Sequence, residues 1–364
     1  MASFKSLKKL RVIGLMSGTS LDGLDLCFVE FDQNNGAWNF LIKATKGLAY
    51  SADWRERLNG AFFISQDKLQ QLEIDYGSFL GNEAFIFMEE NGIFDEVDLI
   101  ASHGHTVFHE PEKGITVQIG DGDAIAKLTK KPVVNNFRIK DVQLGGQGAP
   151  LVPVGDAFLF SEFDACLNLG GIANISYQIN TKRIAFDIAP CNLPLNKIMR
   201  QSYQKEYDES GVLAKSGKPI PDLLAQLDLL DYYSINPPKS LAVEWLNEKF
   251  YPIVYSFLSD QHELPDILHT IVQHEANQIA TVLNQNKIKT VLVTGGGTYN
   301  SFLIDSIHAR TNAEIIIPTA EIIDFKEALI FAFLGLLNVL GELNTFKSVT
   351  GAACDSTGGF ITYP

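Results

Sequence analysis

Two stretches of this chain follow one plan, and together they restrict its fold more than any other feature. In the first, residues 12–16 are an apolar strand, Ser17-Gly18-Thr19-Ser20 is a small-residue turn, Asp22-Gly23 follows, and residues 24–31 form a second strand. In the second, residues 165–177 again read as strand, glycine turn (Gly170-Gly171) and strand, with a third strand over 183–188 ending at Asp187. The two tips lie about 150 residues apart, a spacing that suits one domain each. Duplicated strand–turn–strand units, each followed by helices, imply a two-domain α/β chain with a cleft between its halves.

The first tip is suited to an anion. Glycine permits close backbone approach, and successive peptide N–H groups with the hydroxyls of Thr19 and Ser20 make a concave acceptor for phosphate. Asp22 adds a carboxylate able to hold Mg²⁺, usually through water. An ordinary hairpin turn explains the same residues as well. The tip differs from a P-loop, which runs from strand to helix and carries Gly-Lys-Ser/Thr.

The 364 residues are long enough for two domains, and 46% hydrophobic with 20% charged residues describes a globular chain. A net charge of −14 disfavours nucleic acid and anionic membrane as partners. The N-terminus lacks an apolar core of signal-peptide length, and the longest apolar run, 328–337, is too short for a membrane span. The cysteines at 27, 166, 191 and 354 form no Cys-x-x-Cys pair, which argues against zinc and disulfides and suits a reducing cytoplasm.

Several further segments invite chemistry. The loop Thr294-Gly295-Gly296-Gly297-Thr298 follows a β-branched strand and precedes a helical stretch, where phosphate is favoured. Asp187, at a strand's carboxyl end, is either a general base in a ligand crevice or the cap of the next helix. Asp324 and Glu327 have capping-box spacing at the head of a helix expected to start near 324, with a ligand role for Glu327 compatible with that. His103, His105 and His109 suggest hydrogen bonds to a polar substrate ahead of a metal. Arg138 and Asp141 suit a ligand carboxylate or a weak surface ion pair. The glycine-rich loop 145–150 reads as a hinge.

Taken together, Gly14-Leu-Met-Ser-Gly-Thr-Ser-Leu-Asp-Gly23, Ser102-His-Gly-His-Thr-Val107, Gln118-Ile-Gly-Asp121, Gly145-Gly-Gln-Gly-Ala-Pro-Leu-Val-Pro153, Asn168-Leu-Gly-Gly-Ile-Ala-Asn174, Phe186-Asp187, Gly295-Gly-Gly297, Lys326-Glu-Ala-Leu329 and Ser348-Val-Thr-Gly351 resemble the 1,6-anhydro-N-acetylmuramic acid kinase family. The resemblance implies a two-domain actin-like (ribonuclease H-like) ATPase fold. It implies domains at 1–135 and 136–364, with the C-terminal segment free to return to the first. It implies ATP- and Mg²⁺-dependent opening of the anhydro sugar with phosphorylation at O6, giving N-acetylmuramic acid 6-phosphate in cytoplasmic cell-wall recycling. Asp187 would activate water. Gly18, Thr19, Ser20, Asp22, Gly170, Gly171, Gly295, Gly296, Gly297 and Glu327 would serve the nucleotide, with Asp22 on the metal. His103, His105, Thr106, Arg138 and Asn192 would face the sugar. The partners implied are an amino sugar and ATP, with no nucleic acid or membrane and a homodimer as the assembly to test.

Three positions depart from the family pattern. Its loop Thr/Cys-Gly-Pro-Gly-Asn is here Ile188-Ala189-Pro190-Cys191-Asn192, its Gln after Ser-His-Gly is His105, and its Asp-Phe-Arg is Asn136-Phe137-Arg138. The first departure predicts a reshaped sugar loop. The alternatives are a kinase for a different amino sugar and a non-catalytic actin-like ATP-binding protein.

Overall fold

The structure, a computed structural model, describes residues 4, 9–18, 21–259 and 262–364. The chain packs as two compact units. One comprises the residues up to Leu159 together with Phe325–Pro364, and the other Phe160–Asp324.

In the first unit β1 (Lys9–Met16) and β2 (Gly23–Asn34) pair antiparallel, and β3 (Ala37–Ala49) continues the meander. The apolar run of β1 is buried on both faces, so β1 takes the parallel strand β4 (Leu99–Ser102) on its other side. The hairpin of β5 (His105–Glu110) and β6 (Ile115–Ile119) stands apart as its own small sheet. Beyond β4 lie β7 (Val133–Asn135) and β13 (Phe360–Thr362), giving the order β13-β7-β4-β1-β2-β3. The helix Gln66–Asn91 buries Leu72, Tyr76, Leu80, Ala84 and Phe87, a helical spacing, against Ile13, Leu15 and Leu26 of the sheet. The helix Ala320–Leu340 lies against β1 and β4. A Cβ at Gly14 would collide with the Ala328 carbonyl, and one at Gly335 would come within 2.5 Å of Ala101 Cβ.

The second unit repeats the topology. β8 (Ala165–Leu169), β9 (Ile172–Ile179) and β10 (Lys182–Pro190) form an antiparallel meander. β8 takes parallel β11 (Thr290–Thr294), and β12 (Glu314–Ile316) follows, in the order β10-β9-β8-β11-β12. That is the 3-2-1-4-5 arrangement of the first unit, so the duplication implied by the two hairpins extends to whole sheets. The helix Leu264–Gln285 supplies much of this core through Ile267, Leu268, Ile271, Ile279 and Leu283.

Three local expectations change. The last long helix starts at Ala320, after Pro318, so Asp324 and Glu327 lie inside it and form no capping box. The helix after the triple glycine is Ser301–His308, and Asn300 caps it by accepting from the Leu303 N–H at 3.1 Å. That cap takes up one of the N–H groups of its first turn. The glycine-rich loop is fastened, not a hinge: Asp141, fully buried, accepts from the Gly148 N–H at 2.7 Å and the Thr350 hydroxyl at 2.7 Å. The Gln147 N–H adds a bond to the Thr350 carbonyl at 2.8 Å. Asp141 thus has no surface pairing with Arg138. Among the described residues no helix is long and apolar enough to cross a membrane.

Candidate active site

In an α/β sheet, ligands gather beyond the carboxyl ends of the parallel strands. In the first unit the relevant ends are those of β1 and β4. Ser17 and Gly18 follow β1, and His103 follows β4, its N–H bonding the Leu15 carbonyl at 2.9 Å. Gly104 turns at φ +73°, where a Cβ would stand 2.5 Å from the Ile119 carbonyl.

Hydrogen bonding fixes the His103 tautomer. Arg138 only donates, and its Nε and Nη2 meet His103 Nε2 at 3.2 and 2.8 Å, so that nitrogen is the acceptor. Nδ1 then carries the proton, toward the carbonyls of Gly104 (2.9 Å) and Ser17 (3.2 Å). Burial, and next the Arg138 charge, drive the His103 pKa down to about 3, so the ring is neutral at physiological pH. Arg138 also donates from Nη1 to the Gly148 carbonyl at 2.7 Å. Burial brings its pKa to about 10, which still leaves it charged.

His105 belongs to a second buried chain. The Tyr50 hydroxyl donates to Ser17 Oγ at 2.7 Å, leaving the Tyr76 hydroxyl, 2.6 Å away, to donate to Tyr50. Ser17 Oγ in turn faces His105 Nδ1 at 3.3 Å. Burial lowers His105 to about 4. Thr106 receives a bond from Gln118 at 3.4 Å, and exposed His109 pairs with Thr116 at 3.1 Å. His103 and His105 thus meet different atoms of Ser17, the carbonyl and the hydroxyl, while His109 lies apart; no metal-holding cluster occurs among the described residues.

Asp22 is exposed at the β1–β2 turn. Thr19 and Ser20 lie outside the described residues. Gly23 matters for packing, since a Cβ there would strike the Leu48 carbonyl. Glu327 is exposed. The surrounding protein raises its carboxyl pKa, against the pull of Arg138 and Lys326. Asn136 adopts φ +58°, a left-handed conformation that asparagine tolerates well.

In the second unit three loops meet where β8, β10 and β11 end. The Gly170 and Gly171 carbonyls accept from the N–H groups of Cys191 (2.9 Å), Asn192 (3.1 Å) and Leu193 (3.1 Å), so this turn seats the helix Asn192–Tyr203. The Asn192 amide donates to the Leu169 carbonyl at 2.9 Å. The triple glycine divides by role. A Cβ at Gly295 would come within 2.5 Å of Asn168 Oδ1, and one at Gly297 within 2.7 Å of Leu169 Cβ. Gly296 is exposed, and the nearest atom to a Cβ there is 3.9 Å away. Gly295 and Gly297 are required by packing, while Gly296 presents bare backbone to solvent.

Asp187 sits at a bulge: β10 pairs Asp187 with Asn174 but Ala189 with Ala173. It caps no helix, since the residue before Asn192 is Cys191 and no side chain caps there. One carboxylate oxygen, Oδ2, accepts from the Leu241 N–H at 2.8 Å. The other, Oδ1, accepts no hydrogen bond among the described residues. Burial raises the carboxyl pKa above its ordinary value, and the Leu241 bond partly offsets this. The Ala189 and Cys191 side chains are both wholly buried in the core of this unit.

The segment holding Asp187 escaped the sequence reading. The Tyr232 hydroxyl donates to the Asp187 carbonyl at 2.6 Å, and the Asp187 N–H reaches the Lys239 carbonyl at 3.3 Å. The one sequence signal was Pro237-Pro238-Lys239, a rigid pair inside an irregular stretch.

A family profile described as anhydro-N-acetylmuramic acid kinase matches residues 10–364. Proteins of that name from Bacillus thuringiensis subsp. konkukian (strain 97-27) and Bacillus anthracis (strain A0248) are each 31% identical to this chain, over 97% of it and 99% of their own length. The chain belongs to the anhydro-N-acetylmuramic acid kinase family. Among solved structures, component A of the (R)-2-hydroxyglutaryl-CoA dehydratase of Acidaminococcus fermentans aligns with a TM-score of 0.49 at 13% identity, covering 91% of this chain and 99% of its own. Against the anhydro-N-acetylmuramic acid kinase pattern, the five-residue loop after Asp187 keeps its length, Pro190 and Asn192, and differs at its other three positions.

Proposed function

We propose that this chain performs its family's reaction with Asp187 as general base, hydrolysing the anhydro ring of 1,6-anhydro-N-acetylmuramic acid and phosphorylating O6 from ATP. Its class of activity is that of a kinase, a phosphotransferase to an alcohol group. Water attacks C1 as Asp187 Oδ1 takes its proton. The C1–O6 bond breaks with its electron pair left on O6, O6 takes the γ-phosphoryl group, and ADP leaves. The products are N-acetylmuramic acid 6-phosphate and ADP.

The observation that carries this reading is the divided carboxylate of Asp187. One oxygen is fixed by a peptide N–H, and the other, which accepts no hydrogen bond among the described residues, is left for a water in this reading. Burial raises its pKa, which strengthens it as a base near neutral pH. Gly296 offers exposed backbone to the phosphates. Gly18 contributes at the first tip, and Asp22 is the exposed carboxylate that would hold Mg²⁺, which when bound offsets charge on the phosphates. Arg138, oriented by His103, is suited to the carboxylate of the sugar. Cytoplasmic action fits a substrate released by wall turnover.

Asp187→Asn tests the base. Turnover should fall by roughly 10² to 10⁴, the usual worth of a positioned base, with both ligands still bound. In ¹⁸O-labelled water the wild type should place label at the anomeric carbon and none in the phosphate. Label in the phosphate, or an Asp187→Asn enzyme of normal rate, overturns the mechanism.

A further inference from the structure

We infer that Tyr232 is a positioning residue for Asp187, and that residues 231–241 act as a clasp on the β10 bulge. The inference rests on the reading of Asp187 as the base. A bulge breaks the regular ladder, so the residue within it needs another source of rigidity. Here one short segment supplies three bonds to one residue. The Tyr232 hydroxyl meets the Asp187 carbonyl, the Lys239 carbonyl meets its N–H, and the Leu241 N–H meets Oδ2. The main chain on either side of Cα and one carboxylate oxygen are all held.

The clasp is itself fixed. Tyr232 is 4% exposed, with its ring centroid 5.5 Å from that of Trp245. The Lys239 ammonium lies 4.4 Å from the Tyr232 ring centroid and donates to the Tyr232 carbonyl at 3.1 Å. Burial and the adjacent Asp187 carboxylate keep the phenol protonated far above neutral pH, so Tyr232 is a donor throughout the working range. Its hydroxyl bonds main chain, not the carboxylate, and so it acts on the base through the geometry of the bulge and of the Leu241 bond.

Tyr232→Phe removes one oxygen and keeps the ring. Small displacements of a reacting group cost large factors in rate, so kcat should fall roughly tenfold to a hundredfold. KM for ATP and for the sugar should each stay within about twofold, since neither ligand is held by this bond. The acid limb of the kcat–pH profile should move to higher pH, because a loosened Leu241 bond no longer favours the charged carboxylate. Lys239→Met, which leaves the phenol in place, should show the same pattern with a smaller loss and serves if Tyr232→Phe does not fold. Asp187→Asn is assayed beside them. If it is inactive while Tyr232→Phe keeps normal kcat and an unmoved acid limb, the clasp is refuted and the base stands. If Tyr232→Phe merely lowers the melting temperature at unchanged kcat, the bond is structural and the inference fails. If Asp187→Asn turns over normally, it is the base assignment that falls.

Discussion

His105 shows how much a single substitution settles once its partners are known. In place of the family's Gln it hydrogen-bonds the Ser17 hydroxyl, which accepts from Tyr50, which in turn accepts from Tyr76. The unfolded ring titrates near 6.5, the folded one near 4. Between those values the unfolded chain binds the extra proton, so stability is full above about pH 6.5 and erodes as pH falls toward 4. His105→Gln should therefore reduce the proton uptake on unfolding by about one in that window, read from denaturation midpoints at several pH values. An unchanged pH slope would show that the imidazole titrates normally. At this scale the sequence was partly readable. It marked His103, His105 and Arg138 as polar groups beside a substrate, but not that His103 serves Arg138, 35 residues away. Nor did it mark Asp141 as a buried anchor, because its partner Thr350 is 209 residues distant.

Glycine geometry separates the loop positions that packing requires from those it leaves open. Gly296→Val places a side chain in open space, so ATP affinity should drop in calorimetric titration with little change in melting temperature. Gly297→Val forces atoms into Leu169, so its melting temperature should fall well before affinity becomes the issue. Equal losses of stability in both would remove the distinction. Regular elements were legible because burial imposes period two on strands and 3.6 on helices. The irregular elements were not. The helix that begins at Ala320 was placed four residues late, because Pro318-Thr319 is the true start signal and Asp324 and Glu327 imitate a later one. The 231–241 clasp has no period at all. Its role depends on reaching a strand about 45 residues earlier in the chain.

Across the whole molecule, the excess of 14 negative charges opposes the approach of anionic ligands. The nucleotide and the sugar acid are both anionic, so association works against the protein's own field. Raising salt from about 10 to 150 mM shortens the screening length and should lower KM for ATP, opposite to the trend for a basic binding surface. A KM that rises with salt would show that local cations, Arg138 among them, dominate the approach. The duplication was legible at this scale from two strand–turn–strand units of one design, while the strand order of the sheets was not read from the sequence. A return of the C-terminal segment to the first unit was anticipated, but the pairing of β13 with β7 was not, since a three-residue strand carries too little pattern.

The bulge between Asp187 and Ala189 has a bearing on how such a site varies through descent. In a strand, facing is decided by counting, and the extra residue sets the count between the acid and the seat of the next helix at Gly170-Gly171. Side chains here are free to differ, as the buried Ala189 and Cys191 illustrate, because the core absorbs them. Length is not free. Loss of a single residue, Ile188 for instance, would turn Asp187 to the opposite face or pull Asn192 from its seat. Inheritance at this locus should accordingly tolerate changes of letter and reject changes of spacing.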